Sequence, residues 1–116
     1  MSETVFSRQF KRTGAQNLLR QFGELVTYHP LEGRSRVVQA MVERNESEII
    51  AEVGDLNGQA VIVRVLNNEC KGITSIEIDT GGDEIEVALR VGETRQRRSV
   101  VRLLNAQNGL TRFLVQ

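Results

Sequence analysis

The residues best suited to nucleophilic or acid–base chemistry in this sequence are one histidine and one cysteine, His29 and Cys70. A histidine near neutral pH can take a proton from a nucleophile or a substrate. No nucleophile and no orienting acid stand at a recognisable spacing from His29, so a strand-end histidine at or near the surface is the favoured interpretation. Cys70 has no second cysteine to pair with, which excludes a disulfide or a multi-thiolate metal site within the chain. A structural or incidental role is expected for it.

Glycines and acids occur together in the segment 79–83, where a phosphate or a cation could bind. Gly81 and Gly82 lack the Gly-x-x-x-x-Gly-Lys-Ser/Thr spacing of a phosphate-binding loop, and a strand rather than a helix is predicted to follow them. The neighbouring acids do not follow the spacing of an EF-hand, and they are interpreted as a solvated acidic turn: Asp79, Asp83, Glu84 and Glu86. The sequence therefore predicts a hairpin turn here, with no catalytic site, no metal and no cofactor.

Charged residues are strongly segregated along the chain, although the formal net charge is zero. Residues 23–87 carry a net charge of −8, and residues 88–116 carry +5. Nearly all the basic residues are arginine, whose planar guanidinium group pairs well with carboxylates and phosphates. Two interpretations stand side by side. The two poles can direct stacking on another copy or on a charged partner, or the charges can simply interleave in three dimensions.

Arg95, Arg97 and Arg98 form the densest basic cluster, and we expect them to project from a loop between two strands. Such a loop is a candidate docking element for a protein partner. It could also contact a nucleic-acid backbone, and a small oligonucleotide-binding β-barrel is the alternative function. Aromatic residues make up only 4% of the chain, however, and a single-strand binder needs exposed aromatics on its strands. Sequence-specific nucleic-acid binding is therefore not predicted.

Residues 2–22 are predicted to be helical, with apolar side chains recurring near helical spacing. Phe6 and Phe10 are central to this apolar face. Such an aromatic stripe usually packs on a core, but in an assembly protein it can also dock on a partner. Phe6 and Phe10 are therefore candidate partner-binding residues together with the arginine cluster.

From Gly23 onward the pattern changes to short runs of β-forming residues separated by turn signals. The predicted strands are Leu25–Tyr28, Arg36–Glu43, Ile49–Val53, Ala60–Leu66, one through Ile73, Ile76 and Ile78, Ile85–Val91, Ser99–Leu104, and a last one through Leu110, Phe113 and Val115. The final two are joined at Asn108-Gly109, a dipeptide typical of tight hairpins. This predicts a mainly β single domain over residues 1–116: a small antiparallel β-sandwich or barrel of about seven strands (23–116) with one N-terminal helix (1–22). No apolar run reaches the roughly 18–20 residues that span a bilayer, so no membrane contact is expected.

Several of these segments together resemble the head–tail joining (head completion) proteins of long-tailed bacteriophages and prophages. The resemblance covers most of residues 18–116 and rests on the following segments: Phe22-Gly23-Glu24-Leu25-Val26-Thr27-Tyr28, Arg36–Glu43, Asp83-Glu84-Ile85, Val91-Gly92, Ser99-Val100-Val101-Arg102 and Asn108-Gly109-Leu110.

This resemblance implies a structural protein without enzymatic activity. Its members form a ring at the portal vertex of the DNA-filled head and create the surface onto which the tail docks. The implied partners are portal or connector ring proteins, tail proteins and further copies of the chain, and the implied location is the virion and, during assembly, the host bacterial cytoplasm.

The remaining rival function is an enzyme that uses His29 with an acid, which a deep pocket around His29 would favour.

Overall fold

The computed structural model describes residues 23–54 and 58–116, which form six strands and one short helix. In chain order these are β1 Glu24–His29, β2 Arg36–Glu43, α1 Glu46–Val53, β3 Val61–Leu66, β4 Glu84–Val87, β5 Gln96–Gln107 and β6 Leu110–Val115. The strands are antiparallel and close into one barrel in the order β1-β2-β3-β6-β5-β4. The prediction of a mainly β antiparallel fold is confirmed, with six described strands rather than about seven. The predicted helix 2–22, including Phe6 and Phe10, lies outside the described residues.

Alternation along each strand places one set of side chains inside the barrel. In β2, Val38 and Ala40 are buried while Val37 and Gln39 are exposed, as the period of two predicts. The interior is filled by aliphatic side chains together with Tyr28 and Phe113: Val26, Tyr28, Val38, Ala40, Val61, Val63, Val65, Ile73, Ile85, Val87, Val100, Phe113 and Val115. Burial of this apolar surface is the main source of stability for the fold.

Antiparallel pairing sends the connections alternately to the two ends of the barrel. We call the end where β1 begins the proximal end and the end where β1 finishes the distal end. The segments 44–60 and 88–95 lie at the proximal end, and the loops 30–35 and 67–83 lie at the distal end together with the turn at 108–109. Each end therefore has its own set of loops.

The predicted strand at Ile49–Val53 is wrong, because this segment is the second half of helix α1. Asn45 caps the helix by accepting a hydrogen bond from the backbone N–H of Glu48 at 3.2 Å, and Gly54 ends it with a φ of 89°. Ile49 packs outside the barrel in a second apolar cluster with residues of β3 and β6, Ile62 and Leu114. No helix in the described part of the chain is long and apolar enough to cross a membrane.

The strand predicted through Ile73, Ile76 and Ile78 is also wrong; these residues lie in the loop 67–83. The loop folds back on the end of β3, where the N–H of Ile73 donates to the carbonyl of Leu66 at 2.9 Å. Gly72 makes this close approach possible, since a Cβ at that position would lie 1.9 Å from the Leu66 carbonyl oxygen. Ile73 is consequently buried as a plug, whereas Ile76 is 94% exposed.

The predicted closing hairpin is confirmed, but the strand before it is shorter than predicted. Asn108 and Gly109 have φ angles of 55° and 76°, the left-handed conformation that this turn requires. They join β5 to β6. Strand β4, which comes before the two strands of this hairpin, stops at Val87, earlier than the predicted Val91, because the chain turns away into the proximal loop.

Candidate functional site

The arginine cluster does not form one loop, as the sequence predicted. Arg95 precedes β5, whereas Arg97 and Arg98 lie within it and pair with Glu86 and Ile85 of β4. The strand begins at Gln96 because the ladder with β4 extends that far. The loop prediction for Arg97 and Arg98 is therefore wrong.

Neighbouring residues on a strand point to opposite faces, and this separates the two strand arginines. Arg97 lies on the outer wall, where its guanidinium group forms an ion pair with Glu84 at 2.8 Å. Arg98 shares a face with the buried Val100, is half-buried, and donates to the side chain of Gln96 at 3.0 Å. Arg95 is exposed and has no carboxylate partner among residues 23–54 and 58–116.

The charge poles interleave in part. Arg97 pairs with Glu84 and Arg112 pairs with Glu52, so two arginines of the basic segment neutralise acids of the acidic one. Within the described residues, the arginines of that segment without a carboxylate partner are Arg90, Arg95, Arg98 and Arg102. These leave an excess of positive charge on β5 and on the proximal loop before it.

His29 lies in a hydrogen-bonded chain on the outer wall, between β1 and β4. Its Nδ1 is 2.6 Å from the Ser35 hydroxyl, and its Nε2 is 2.5 Å from a carboxylate oxygen of Glu86. Serine, histidine and carboxylate in this order are the groups of a hydrolase triad. They also act as a clasp, since they tie the loop 30–35 to β4. The prediction placed no partner beside His29; Ser35 lies six residues further along in the loop after β1, and Glu86 lies on the neighbouring strand β4.

A cleft of about 340 Å³ lies at the proximal end, away from His29. Its lining includes Arg44, Arg90, Gln59 and Leu89. Arg44 is held in place by two hydrogen bonds to the carboxylate of Glu24, at 2.6 and 3.0 Å, and by one to a backbone carbonyl of the neighbouring loop. The cleft is thus a rigid polar recess between proximal loops.

Sequence reasoning missed a buried polar network at the distal end, centred on Tyr28 and Asp83. Asp83 is 2% exposed, which corrects its interpretation as part of a solvated turn. Its carboxylate accepts hydrogen bonds from the Tyr28 hydroxyl and from the backbone N–H groups of Leu31 at 2.7 Å and Asp79 at 2.9 Å. Burial, and next the hydrogen bond to Asp83, raise the pKa of Tyr28 above its ordinary value. The alternation that places Tyr28 beside Val26 on the inner face could have indicated a buried hydroxyl in need of a partner.

Arg36 extends this network to the loop 67–83. Its guanidinium group stacks 5.0 Å from the centre of the Tyr28 ring, donates to the Gly72 carbonyl at 2.9 Å, and forms an ion pair with Glu77 at 2.5 Å. Burial alone would raise the pKa of Glu77, but hydrogen bonds from Thr74 and Arg36 lower it overall. The distal loop is therefore fixed to the barrel by charged groups in their ionised form.

Aliphatic side chains are exposed on loops at both ends of the barrel. At the distal end, Ile76 is 94% exposed and Leu31 is 59% exposed; at the proximal end, Val91 is 86% exposed. Leu25 and Val37 add exposed aliphatic surface on the wall formed by β1 and β2. Cys70 is also exposed, in the distal loop. No group of three or more metal-ligating side chains occurs among the described residues.

No protein-family model, curated protein sequence or solved structure matches this chain.

Proposed function

We propose that this protein is a structural subunit without enzymatic activity that joins the DNA-filled head of a long-tailed bacteriophage to its tail, as one member of a ring at the portal vertex. The observation that carries the proposal is the exposure of aliphatic side chains on loops at opposite ends of the barrel, Ile76 and Val91. A subunit placed between the head and the tail needs one contact surface at each end. Apolar side chains exposed on loops are suited to such contacts, because a partner removes them from water.

The wall of the barrel offers what a ring needs in addition. A ring is built from heterologous contacts, so each subunit must carry two different, complementary patches. Helix α1 has Glu46 and Glu48 in its first turn and no basic residue in its last turn. Arg95, by contrast, is exposed just before β5. Opposite charges on two separate elements favour side-by-side association in one register.

Two of the segments that carry the resemblance to head–tail joining proteins have definite structural roles in this barrel, which supports applying the resemblance to this chain. Asp83 is the buried centre of the distal network and immediately precedes β4. Asn108-Gly109 is the tight turn between β5 and β6. The resemblance thus rests on residues that this barrel needs for its turns and its interior.

The oligonucleotide-binding alternative has less support. Base stacking requires exposed aromatic rings. The two aromatic residues of the described part, Tyr28 and Phe113, are both 0% exposed. Arg97, which could contact a phosphate, is already paired with Glu84.

A complementation experiment tests the proposal. A phage that lacks this gene is expected to accumulate full heads and free tails, and the wild-type protein supplied in trans should restore joining. The triple variant Arg95→Ser, Arg97→Ser, Arg98→Ser should fold, because exposed ion pairs contribute about 1 kcal/mol or less. It should join poorly, since truncating an interface arginine can cost roughly 2 kcal/mol.

The matched control is Arg64→Ser, which removes one part-exposed arginine from β3, away from the loops at both ends. It should join like the wild type. Normal infectious yield from a stably folded triple variant would show that these arginines are not a docking element. Normal virions from the gene deletion itself would refute the joining function.

A second prediction separates the proposal from the enzyme rival. His29→Ala removes the link between Ser35 and Glu86, and it should lower the free energy of unfolding by about 1 kcal/mol. Infectious yield should stay within a few-fold of the wild type, because the clasp is structural. Covalent labelling of Ser35 by a fluorophosphonate, abolished in His29→Ala, would instead establish a reactive serine and contradict this prediction.

A further inference from the structure

Strand β5 is much longer than β4, the strand that pairs with one of its two edges. β5 has 12 residues and β4 has 4. Pairing with the β4 side ends where the N–H of Val100 donates to the carbonyl of Asp83 at 3.0 Å. Beyond that point, residues 101–107 pair with β6 on one side and with no described strand on the other.

This edge is the one unpaired strand segment of comparable length in the described barrel. The other strands each have two neighbours, as the closed order requires. Of the features that usually prevent pairing with another chain, residues 101–107 contain no proline and a single charge, Arg102. Two register shifts do occur in the pairing with β6, between Val100 and Arg102 and between Leu103 and Asn105. Val101 and Leu103 are 39% and 38% exposed along it.

We propose that this edge of β5 pairs antiparallel with the same edge of a second copy of the chain, across a two-fold axis at Leu103. Strand pairing needs two unpaired edges, and the second copy presents the matching one. Two identical edges that meet antiparallel form a closed, self-complementary interface. The inference does not depend on the joining function, because it rests on the unpaired edge of β5 and on the side chains along it.

The faces of β5 select the position of the axis. Leu103 pairs with Phe113, which points into the barrel, whereas Arg102 pairs with Leu114 of the outer cluster, on which Leu104 also packs. An axis at Leu103 sets Arg102 opposite Leu104 of the second copy, so side chains of the outer face meet each other. It also places Leu103 against its own symmetry mate and keeps the two Arg102 charges apart.

Cysteine cross-linking tests this arrangement in the full-length chain. In a Cys70→Ser background, Leu103→Cys brings two thiols together on the axis. Directly opposed strand residues lie at Cα separations of about 4.5–5.5 Å, which a disulfide can bridge. Mild oxidation should convert Leu103→Cys to a dimer of the 13.0 kDa chain at least about tenfold faster than Val91→Cys, although Val91 is 86% exposed.

A second variant tests the association without a covalent bond. Light scattering should show the mass of the wild-type protein rising toward that of a dimer with concentration. Leu103→Lys sets two like charges opposite each other and should hold the protein as a monomer, with a cooperative thermal transition confirming that it folds. Ala51→Lys, at an exposed position of α1, is the control and should still dimerise.

Cross-linking of Leu103→Cys no faster than Val91→Cys would overturn the proposal. A wild-type protein that has the mass of one chain at every concentration would also overturn the proposal. The edge of β5 would then pair with another segment of the chain or with another partner. A dimer that persists in Leu103→Lys would place the interface elsewhere.

Discussion

Replacement of Asp83 by alanine is expected to lower the free energy of unfolding by about 3 kcal/mol or more, the largest stability effect that we predict for a single polar residue. The carboxylate accepts three hydrogen bonds in a buried position, from the Tyr28 hydroxyl and from two backbone N–H groups. Without it, these donors stay buried and unpaired, and each costs roughly 1–3 kcal/mol. Chemical denaturation should measure the loss, and the melting temperature should fall by roughly 10 °C or more.

Two further variants make this prediction specific. Asp79→Ala removes a nearby carboxylate that is exposed and, within the described part of the chain, accepts a hydrogen bond only from the N–H of Gly81. The loss should therefore stay near 1 kcal/mol or below. Tyr28→Phe removes only the hydroxyl and should cost an intermediate amount, about 1.5–3 kcal/mol. Equal stability of Asp83→Ala and Asp79→Ala would contradict the assignment of Asp83 as the centre of the network.

The raised pKa of Tyr28 adds a signature in pH. The folded protein keeps the phenol protonated above pH 10.0, the ordinary pKa, while the unfolded chain loses that proton. The unfolded state is then favoured, so the stability contributed by Tyr28 is complete below pH 10 and declines as the pH rises above it. The decline should be smaller in Tyr28→Phe, since the chain has no other tyrosine.

The largest functional effects are expected from Ile76→Asp and Val91→Asp in the complementation experiment. Both side chains are almost fully exposed, so either change should alter the free energy of unfolding by no more than about 0.5 kcal/mol. A carboxylate in an apolar contact should weaken each joint by about 2 kcal/mol or more, and infectious yield should fall by more than about 30-fold. Ile76→Val and Val91→Ile are the conservative controls and should complement normally.

The two variants should fail at different steps, because the side chains lie at opposite ends of the barrel. One variant should be recovered on full heads that carry no tail, and the other should remain unassembled and absent from heads. Fractionation of the lysate on a gradient, with detection of the protein in each fraction, distinguishes these outcomes. Normal yield from both variants would show that the exposed loop aliphatics are not the contact surfaces.

The strands were predictable where alternation and a turn signal agreed. Val38 and Ala40 alternate with polar or exposed neighbours, and Asn108-Gly109 specifies its own turn, so β2 and the last hairpin follow from local chemistry. Ile49 was misassigned because a short apolar run fits both a strand and a helix. The capping residue Asn45 was the signal that decided for a helix, and it lies just before the run.

The polar contacts were beyond sequence reasoning because they depend on closure of the barrel. Tyr28 and Asp83 are 55 positions apart, and they meet only because β1 pairs with β4. The same pairing places Glu86 beside His29. The splitting of Arg97 from Arg98 depends on where β5 begins, which is set by pairing with β4 rather than by the residues themselves.

The strand order also has a consequence for synthesis of the chain on the ribosome. β3 pairs with β2 and with β6, and β6 is the last strand of the barrel to be translated. Until β6 emerges, β1–β3 can form only an open three-stranded sheet, and one of its two free edges is β3, Val61–Leu66, with Arg64 as its one charge. Segments of this kind readily join with other nascent chains. The nascent protein must therefore be shielded, or diluted, for as long as translation takes to pass from residue 66 to residue 115.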